Sequence, residues 1–81
     1  MARQDNIQID LQLFADLRSK MPPEADRFAV PRGFTIGNVL EKLEISPERA
    51  KLIFVNGIKQ ALDYILKDGD RVGIFPPIGG G

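Results

Sequence analysis

The sequence predicts an α+β fold in which one main helix covers one face of a mixed β-sheet. Apolar and polar residues alternate near the start of the chain, as in a strand with one buried face. A single segment in the middle has apolar residues at helical spacing, and short apolar segments separated by glycine-containing turns follow it. With 81 residues, the chain has room for one small domain.

The opening part of the chain predicts a β-hairpin. Residues 7–13 alternate between isoleucine or leucine and polar side chains, which indicates a strand with one buried face. A second, shorter strand covers residues 28–30 and ends at the Pro-Arg-Gly sequence of residues 31–33. The two strands can pair antiparallel, with a long loop between them. Residues 1–6 are polar and are expected to be loose.

The helix is predicted to begin at Thr35. The threonine hydroxyl can accept a hydrogen bond from a free backbone N–H of the first turn, so Thr35 is the expected N-cap. Apolar residues then follow at positions i, i+3, i+4 and i+7, which places them on one side of a helix: Ile36, Val39, Leu40 and Leu43. This stripe is expected to face the core.

The second half of the chain predicts further strands. Residues 52–55 are continuously apolar, which is typical of a strand near the centre of a sheet. Asn56-Gly57 is the preferred sequence of a type I′ turn, and a short return strand is expected after it. Residues 67–70 form a second turn, and residues 71–75 form the last strand. This order is compatible with a β-grasp domain, in which the first and last strands lie parallel at the sheet centre.

Composition excludes several classes of function. Eleven basic residues balance eleven acidic ones, so the chain has no electrostatic footprint for nucleic acid or an anionic membrane. No apolar run reaches membrane-spanning length, and the N-terminus lacks the apolar region of a signal peptide, so the expected location is the cytoplasm. Cysteine and histidine are absent, which excludes disulfides, the usual zinc sites and thiol or imidazole nucleophiles. We expect no metal site and no independent catalysis.

The last strand runs into two prolines. Pro76 and Pro77 stop the strand because proline has no N–H for a sheet, and they stiffen the segment that follows. Phe75 and Ile78 flank them where the chain leaves the sheet. These two side chains either pack on the rim of the domain or form an exposed apolar patch that anchors a partner. Phe75, Pro76, Pro77 and Ile78 are therefore the candidate partner-binding residues.

The sequence closes with Gly79, Gly80 and Gly81. Three glycines cannot pack a core, and they lose the most conformational entropy on ordering, so folding does not require them. A segment without side chains can instead carry a terminal carboxylate into a narrow channel. Residues 76–81 reach roughly 20 Å when extended. We predict a β-grasp domain over residues 7–75, a flexible tail over residues 76–81, and a reactive carboxylate on Gly81.

The sequence also resembles a known family. From residue 7 to residue 81 it is similar to the small subunit of molybdopterin synthase, one of the MoaD/ThiS-type ubiquitin-like sulfur carriers. The similarity is carried by residues 14–18 (Phe-Ala-Asp-Leu-Arg), residues 55–57 (Val-Asn-Gly) and residues 66–81. Within the last of these, Asp68-Gly69-Asp70 and the final glycines are shared with the thiamine-pathway carrier. Phe75-Pro76-Pro77 is the more specific feature of the molybdopterin branch.

This resemblance implies a mechanism that depends on partners. An activating enzyme would use ATP to adenylate the Gly81 carboxylate, with Gly80 beside it and Gly79 providing clearance. A sulfur donor would then displace AMP and leave a thiocarboxylate. In the molybdopterin branch, the large synthase subunit passes that sulfur to a pterin precursor. ATP would be bound by the activating enzyme, and no cofactor by this chain.

Three alternatives remain open at the level of the sequence. The chain can be a thiamine-type sulfur carrier, which uses the same terminal chemistry. It can be a ubiquitin-like modifier, in which Gly81 is joined to lysines of other proteins. It can also be a β-grasp interaction module whose tail is inert.

Overall fold

A computed structural model of the protein describes residues 5–77. Its strands are β1 (Asn6–Leu13), β2 (Phe28–Pro31), β3 (Leu52–Val55), β4 (Ile58–Lys59) and β5 (Arg71–Phe75). Helix α1 covers Ile36–Lys42, and short 3₁₀ helices cover Ala15–Lys20, Ala25–Arg27 and Pro47–Arg49. Residues 1–4 and 78–81 lie outside the described range. Most of the predicted loose N-terminal segment and most of the predicted flexible tail therefore also lie outside it.

The five strands of this range form one mixed sheet in the order β2-β1-β5-β3-β4. Strands β1 and β2 pair antiparallel, with Ile7 opposite Val30, as the opening hairpin predicts. Strands β1 and β5 pair parallel, with Leu11 opposite Val72, and β3 pairs antiparallel with β5. The last strand therefore lies at the sheet centre between the first strand and β3. The predicted α+β, β-grasp arrangement is confirmed.

The two faces of the sheet differ in character. Alternate residues of β1, β3 and β5 point to the side covered by α1, where they are buried: Ile7, Ile9, Leu11, Leu13, Ile53, Val55, Val72 and Ile74. The helix contributes Ile36, Val39 and Leu40 to the same core, as its spacing predicts, whereas Leu43 is only partly buried. The residues between the buried ones point to the opposite side. We call that side the open face of the sheet.

Helix α1 begins and ends with recognisable hydrogen-bonded caps. The Asn38 backbone N–H donates to the Thr35 hydroxyl, and the Thr35 N–H donates to the Asn38 side chain, which forms a capping box. At the other end, the Ile45 N–H donates to the Leu40 carbonyl, and Glu44 has a left-handed backbone with φ of 60°. This is the Schellman arrangement, in which glycine is the usual residue at the Glu44 position.

The structure corrects the predicted element boundaries in two places. Strand β1 begins at Asn6, so this residue belongs to the sheet and not to the loose N-terminal segment. Strand β2 extends to Pro31, one residue further than predicted, because Pro31 pairs with Asn6 at the sheet edge. Within residues 5–77, no helix is long and apolar enough to cross a membrane.

Candidate functional site

Three phenylalanines lie together on the open face of the sheet. Phe54 belongs to β3 and lies between the buried residues Ile53 and Val55, whereas Phe75 ends β5 and follows the buried residue Ile74. Phe14 directly follows β1 and is also half-buried. We call Phe14, Phe54 and Phe75 the aromatic cluster.

Phe75 is the centre of the aromatic cluster. Its ring lies on that of Phe14 with centroids 4.1 Å apart and planes 2° from parallel. The Phe54 ring approaches Phe75 edge-on, with centroids 5.9 Å apart and planes 87° from parallel. Gly73 lies below the stacked pair, since a Cβ at this position would lie 3.5 Å from the Phe14 ring. A Cβ at this position would also lie 3.7 Å from the Phe75 ring, so Gly73 lies directly against both stacked rings.

The position of Phe14 is fixed by the backbone around it. Its N–H donates to the carbonyl of Ile74 (3.2 Å), which extends the pairing of β1 and β5 by one residue. The next residue, Ala15, has a left-handed backbone with φ of 56°. The chain then turns into a short 3₁₀ helix that buries Leu17 in the core. The change of chain direction at Ala15 therefore takes the backbone away from the sheet, while the Phe14 ring stays above β5.

The start of the predicted tail is fixed just as closely. The Phe75 carbonyl accepts a hydrogen bond from the Lys51 N–H (2.9 Å), and Phe75 lies opposite Leu52 of β3. Pro76 and Pro77 follow and are half-buried. The chain is therefore held to the sheet up to the carbonyl that precedes Pro76.

The structure brings together only part of the predicted site. Phe75 belongs to the aromatic cluster, and Pro76 and Pro77 follow it directly in the sequence. Ile78, Gly79, Gly80 and Gly81 lie outside the described residues. Their predicted roles therefore remain predictions.

Sequence reasoning assigns neither Phe54 nor Phe14 to this surface. A signal was available for Phe14: it continues the two-residue period of Gln8, Asp10 and Gln12, the polar side of β1. An aromatic side chain on the polar side of a strand needs an explanation other than the core.

Two basic residues lie on the Phe54 side of the aromatic cluster. Arg71 lies beside Phe54 and Phe75 in a shallow groove on the open face. Lys59 is paired with Phe54 across β3 and β4. Ion pairs in the described part of the chain join Arg32 to Asp5 and Arg49 to Asp16, so Arg71 and Lys59 belong to neither. Both side chains are exposed.

The shared Asp68-Gly69-Asp70 sequence forms a turn held by both of its carboxylates. Gly69 has φ of 87°, which glycine adopts readily. Asp68 accepts a hydrogen bond from the Gln8 N–H at 2.8 Å. Asp70 is buried and accepts from the Lys67 N–H, the Asn56 side chain and the Tyr64 hydroxyl. The turn therefore positions the start of β5, as its interpretation as turn chemistry predicts.

The fold and the aromatic cluster define a ubiquitin-like protein with an apolar surface beside its last strand. The chain belongs to the ThiS family, whose family model matches residues 11–81. This is a family of ubiquitin-like sulfur carriers and modifiers. None of the curated proteins compared with the chain matches it significantly.

Solved structures of archaeal proteins share the fold. The Haloferax volcanii protein HVO 2177 matches with a TM-score of 0.78 and 23% identity, over 100% of this chain and 92% of that one. Small archaeal modifier protein 1 of the same organism gives a TM-score of 0.64 and 23% identity, over 89% and 99%. A Pyrococcus furiosus protein provisionally named molybdopterin converting factor, subunit 1, gives 0.61 and 25%, over 89% and 99%.

Proposed function

We propose that this protein is a sulfur carrier that donates sulfur in molybdopterin biosynthesis from a thiocarboxylate on Gly81. The observation that carries the proposal is the junction between the aromatic cluster and the tail. Phe75 is both the central ring of the half-buried cluster and the last residue of the central strand. A partner that binds the cluster therefore meets the chain where the tail begins.

The proposed chemistry uses the polypeptide end group and no side chain. The Gly81 carboxylate is ionised at neutral pH and attacks the α-phosphate of ATP in the activating enzyme, with release of pyrophosphate. A hydrosulfide equivalent from a sulfur donor then attacks the carbonyl carbon of the acyl adenylate, and AMP leaves with one oxygen. Gly79 provides clearance in the narrow channel of the partner, and Gly80 lies next to Gly81 at the reactive end. Phe75, Pro76, Pro77 and Ile78 contact the partner and direct the tail into it.

Two features support the molybdopterin branch. The sequence Phe75-Pro76-Pro77 at the end of β5 resembles that branch. The Pyrococcus furiosus protein with the same fold carries a name from the same pathway. Together they favour the large subunit of molybdopterin synthase as the partner that receives the sulfur.

The carrier chemistry is tested by intact-mass measurement. The chain is incubated with a candidate activating enzyme, ATP and sulfide, and the expected product has one oxygen replaced by sulfur at Gly81. A chain without Gly80 and Gly81 serves as the matched control and should remain unmodified. Unchanged mass of the complete chain with an enzyme shown to bind it would contradict the proposal. The same measurement on natural material checks that the mature chain ends at Gly81.

The pathway is tested by binding. A large subunit of molybdopterin synthase and a thiazole synthase, the corresponding thiamine-pathway partner, are each presented with the chain. Selective binding of the former supports the proposal, and selective binding of the latter assigns the chain to thiamine synthesis. Protein adducts that are cleaved at isopeptide bonds would instead identify a modifier. If deletion of Gly80 and Gly81 changes no activity of the protein, the tail is inert.

A further inference from the structure

The hairpin turn between β3 and β4 is tied to the start of β5 through one side chain. Asn56 and Gly57 have φ of 54° and 82°, as the predicted type I′ turn requires. The Asn56 Oδ1 accepts a hydrogen bond from the Arg71 N–H (3.0 Å), and its Nδ2 donates to the Asp70 Oδ1 (2.9 Å). Both ends of the Asn56 carboxamide are therefore engaged.

Asparagine followed by glycine is the sequence in which deamidation is fastest. The nitrogen of the following residue attacks the side-chain Cγ, ammonia leaves, and water opens the resulting succinimide to aspartate or isoaspartate. Glycine favours this attack because it has no side chain to hinder the approach. For the reaction to occur, the Asn56 carboxamide must rotate towards the Gly57 nitrogen. Rotation breaks its hydrogen bonds to Asp70 and Arg71, so the native turn opposes the reaction.

We propose that Asn56 is a deamidation site that the native fold protects, and that its conversion weakens the attachment of β5 to the hairpin. Asn56 is exposed, so water has access to the succinimide once the carboxamide has turned. Asp70 is 5% exposed and keeps its other acceptor bonds. An aspartate at position 56 would replace the donor that faces Asp70 with a carboxylate oxygen. A favourable bond then becomes a contact between two like charges.

The location gives this modification a functional consequence. Asn56 and Gly57 line the same groove of the open face as Phe54, Phe75 and Arg71. The Asn56 N–H also donates to the Arg71 carbonyl (2.8 Å). Asn56 and Arg71, the first residue of β5, are therefore each both donor and acceptor to the other. Loosening at this point affects the strand that ends in Phe75. The modification would therefore alter the groove beside the surface that, in the proposed function, a partner contacts.

The first test compares deamidation in the folded and unfolded states. The complete chain is held at mildly alkaline pH with and without concentrated urea, and peptide mapping follows aspartate and isoaspartate at position 56. We expect the folded rate to be lower by roughly tenfold or more, because the turn must first open locally. Asn38 is the internal control, since Val39 follows it and its β-branched side chain hinders the attack. Equal rates in both states would show that the fold gives no protection and would overturn the proposal.

The second test introduces the product directly. Asn56→Asp is expected to lower the midpoint of thermal unfolding by roughly 5–10 °C, because a partly buried hydrogen bond is replaced by repulsion. The double variant Asn56→Asp/Asp70→Asn should recover most of this loss. The amide at position 70 can donate to the new carboxylate and still accept from the Lys67 N–H. Asn38→Asp changes the net charge equally but keeps its acceptor role in the capping box, and should cause little loss.

Two outcomes of the second test would contradict the proposal. The first is an Asn56→Asp variant as stable as the parent chain, and the second is a double variant no more stable than the single one. If Asn56→Asp does not fold, the rate comparison on the natural chain still decides whether the turn protects Asn56.

Discussion

The ring of Phe14 lies flat on the ring of Phe75, with their centroids 4.1 Å apart. One residue follows the first strand and the other ends the last strand, so the pair joins two distant parts of the sequence across neighbouring strands. The pair also sits where the proposed tail begins. Its energetic contribution and its role in binding can be measured separately.

The coupling between Phe14 and Phe75 is expected to be about 0.5–1.5 kcal/mol in the free energy of unfolding. It is measured by urea denaturation of Phe14→Leu, Phe75→Leu and the double variant. Phe34 packs against the core, so a cycle between Phe34 and Phe75 is the control and should be additive. Additive effects of Phe14→Leu and Phe75→Leu would show that the stacked geometry contributes nothing beyond burial.

Truncation of Phe54 tests the aromatic cluster as a binding surface. Phe54→Ala is expected to weaken binding of the large synthase subunit by about tenfold or more, since aromatic anchors dominate such interfaces. Titration calorimetry or surface binding gives the affinity. Ile58 is 62% exposed but lies on the short edge strand β4, so Ile58→Ala should leave the affinity unchanged. An equal loss of affinity in both variants would show that the aromatic cluster has no special role in binding.

Glu44 lies at a position that glycine fills more favourably. Its φ of 60° is in the left-handed region, where a side chain costs roughly 1 kcal/mol. Glu44→Gly should therefore raise the free energy of unfolding by about 0.5–1 kcal/mol, in spite of the greater entropy of the unfolded chain. Glu41→Gly, the same substitution inside α1, should lower it by about 0.5–1 kcal/mol. A stability loss in Glu44→Gly would refute the assignment of strain to this residue.

The two carboxylates of the Asp68–Asp70 turn are expected to differ in their importance. Asp70→Ala leaves the Lys67 N–H and the Asn56 amide without their acceptor, at a cost of roughly 1–3 kcal/mol. Asp68 is exposed and accepts one bond, so Asp68→Ala should cost less than about 1 kcal/mol. Urea denaturation measures both. An equal loss in the free energy of unfolding for the two variants would show that the burial of Asp70 adds nothing to its contribution.

Most of the fold follows from local sequence signals. The alternation in β1, the helical spacing behind Thr35 and the Asn56-Gly57 turn all appear where the sequence predicts them. Each depends on residues close together in the chain. The parallel pairing of β1 and β5 was compatible with the sequence, but the residues alone did not determine it, because strand order depends on long-range packing.

The candidate site was less predictable for the same reason. Phe75 was identified because prolines follow it directly. Phe54 lies within a continuously apolar strand, where the pattern cannot distinguish the buried side from the open side. The stack on Phe14 depends on the left-handed backbone of Ala15. This conformation is unusual for alanine, and no neighbouring residue predicts it.

The central position of β5 also has a mechanical consequence. A force applied at the Phe75 end of β5 acts along a strand that is hydrogen-bonded on one edge to β1 and on the other to β3. Such a force shears the backbone hydrogen bonds on both edges of β5 at the same time. In an edge strand, by contrast, the hydrogen bonds can break one after another. The sheet is therefore expected to resist a force applied along β5 better than one applied along an edge strand.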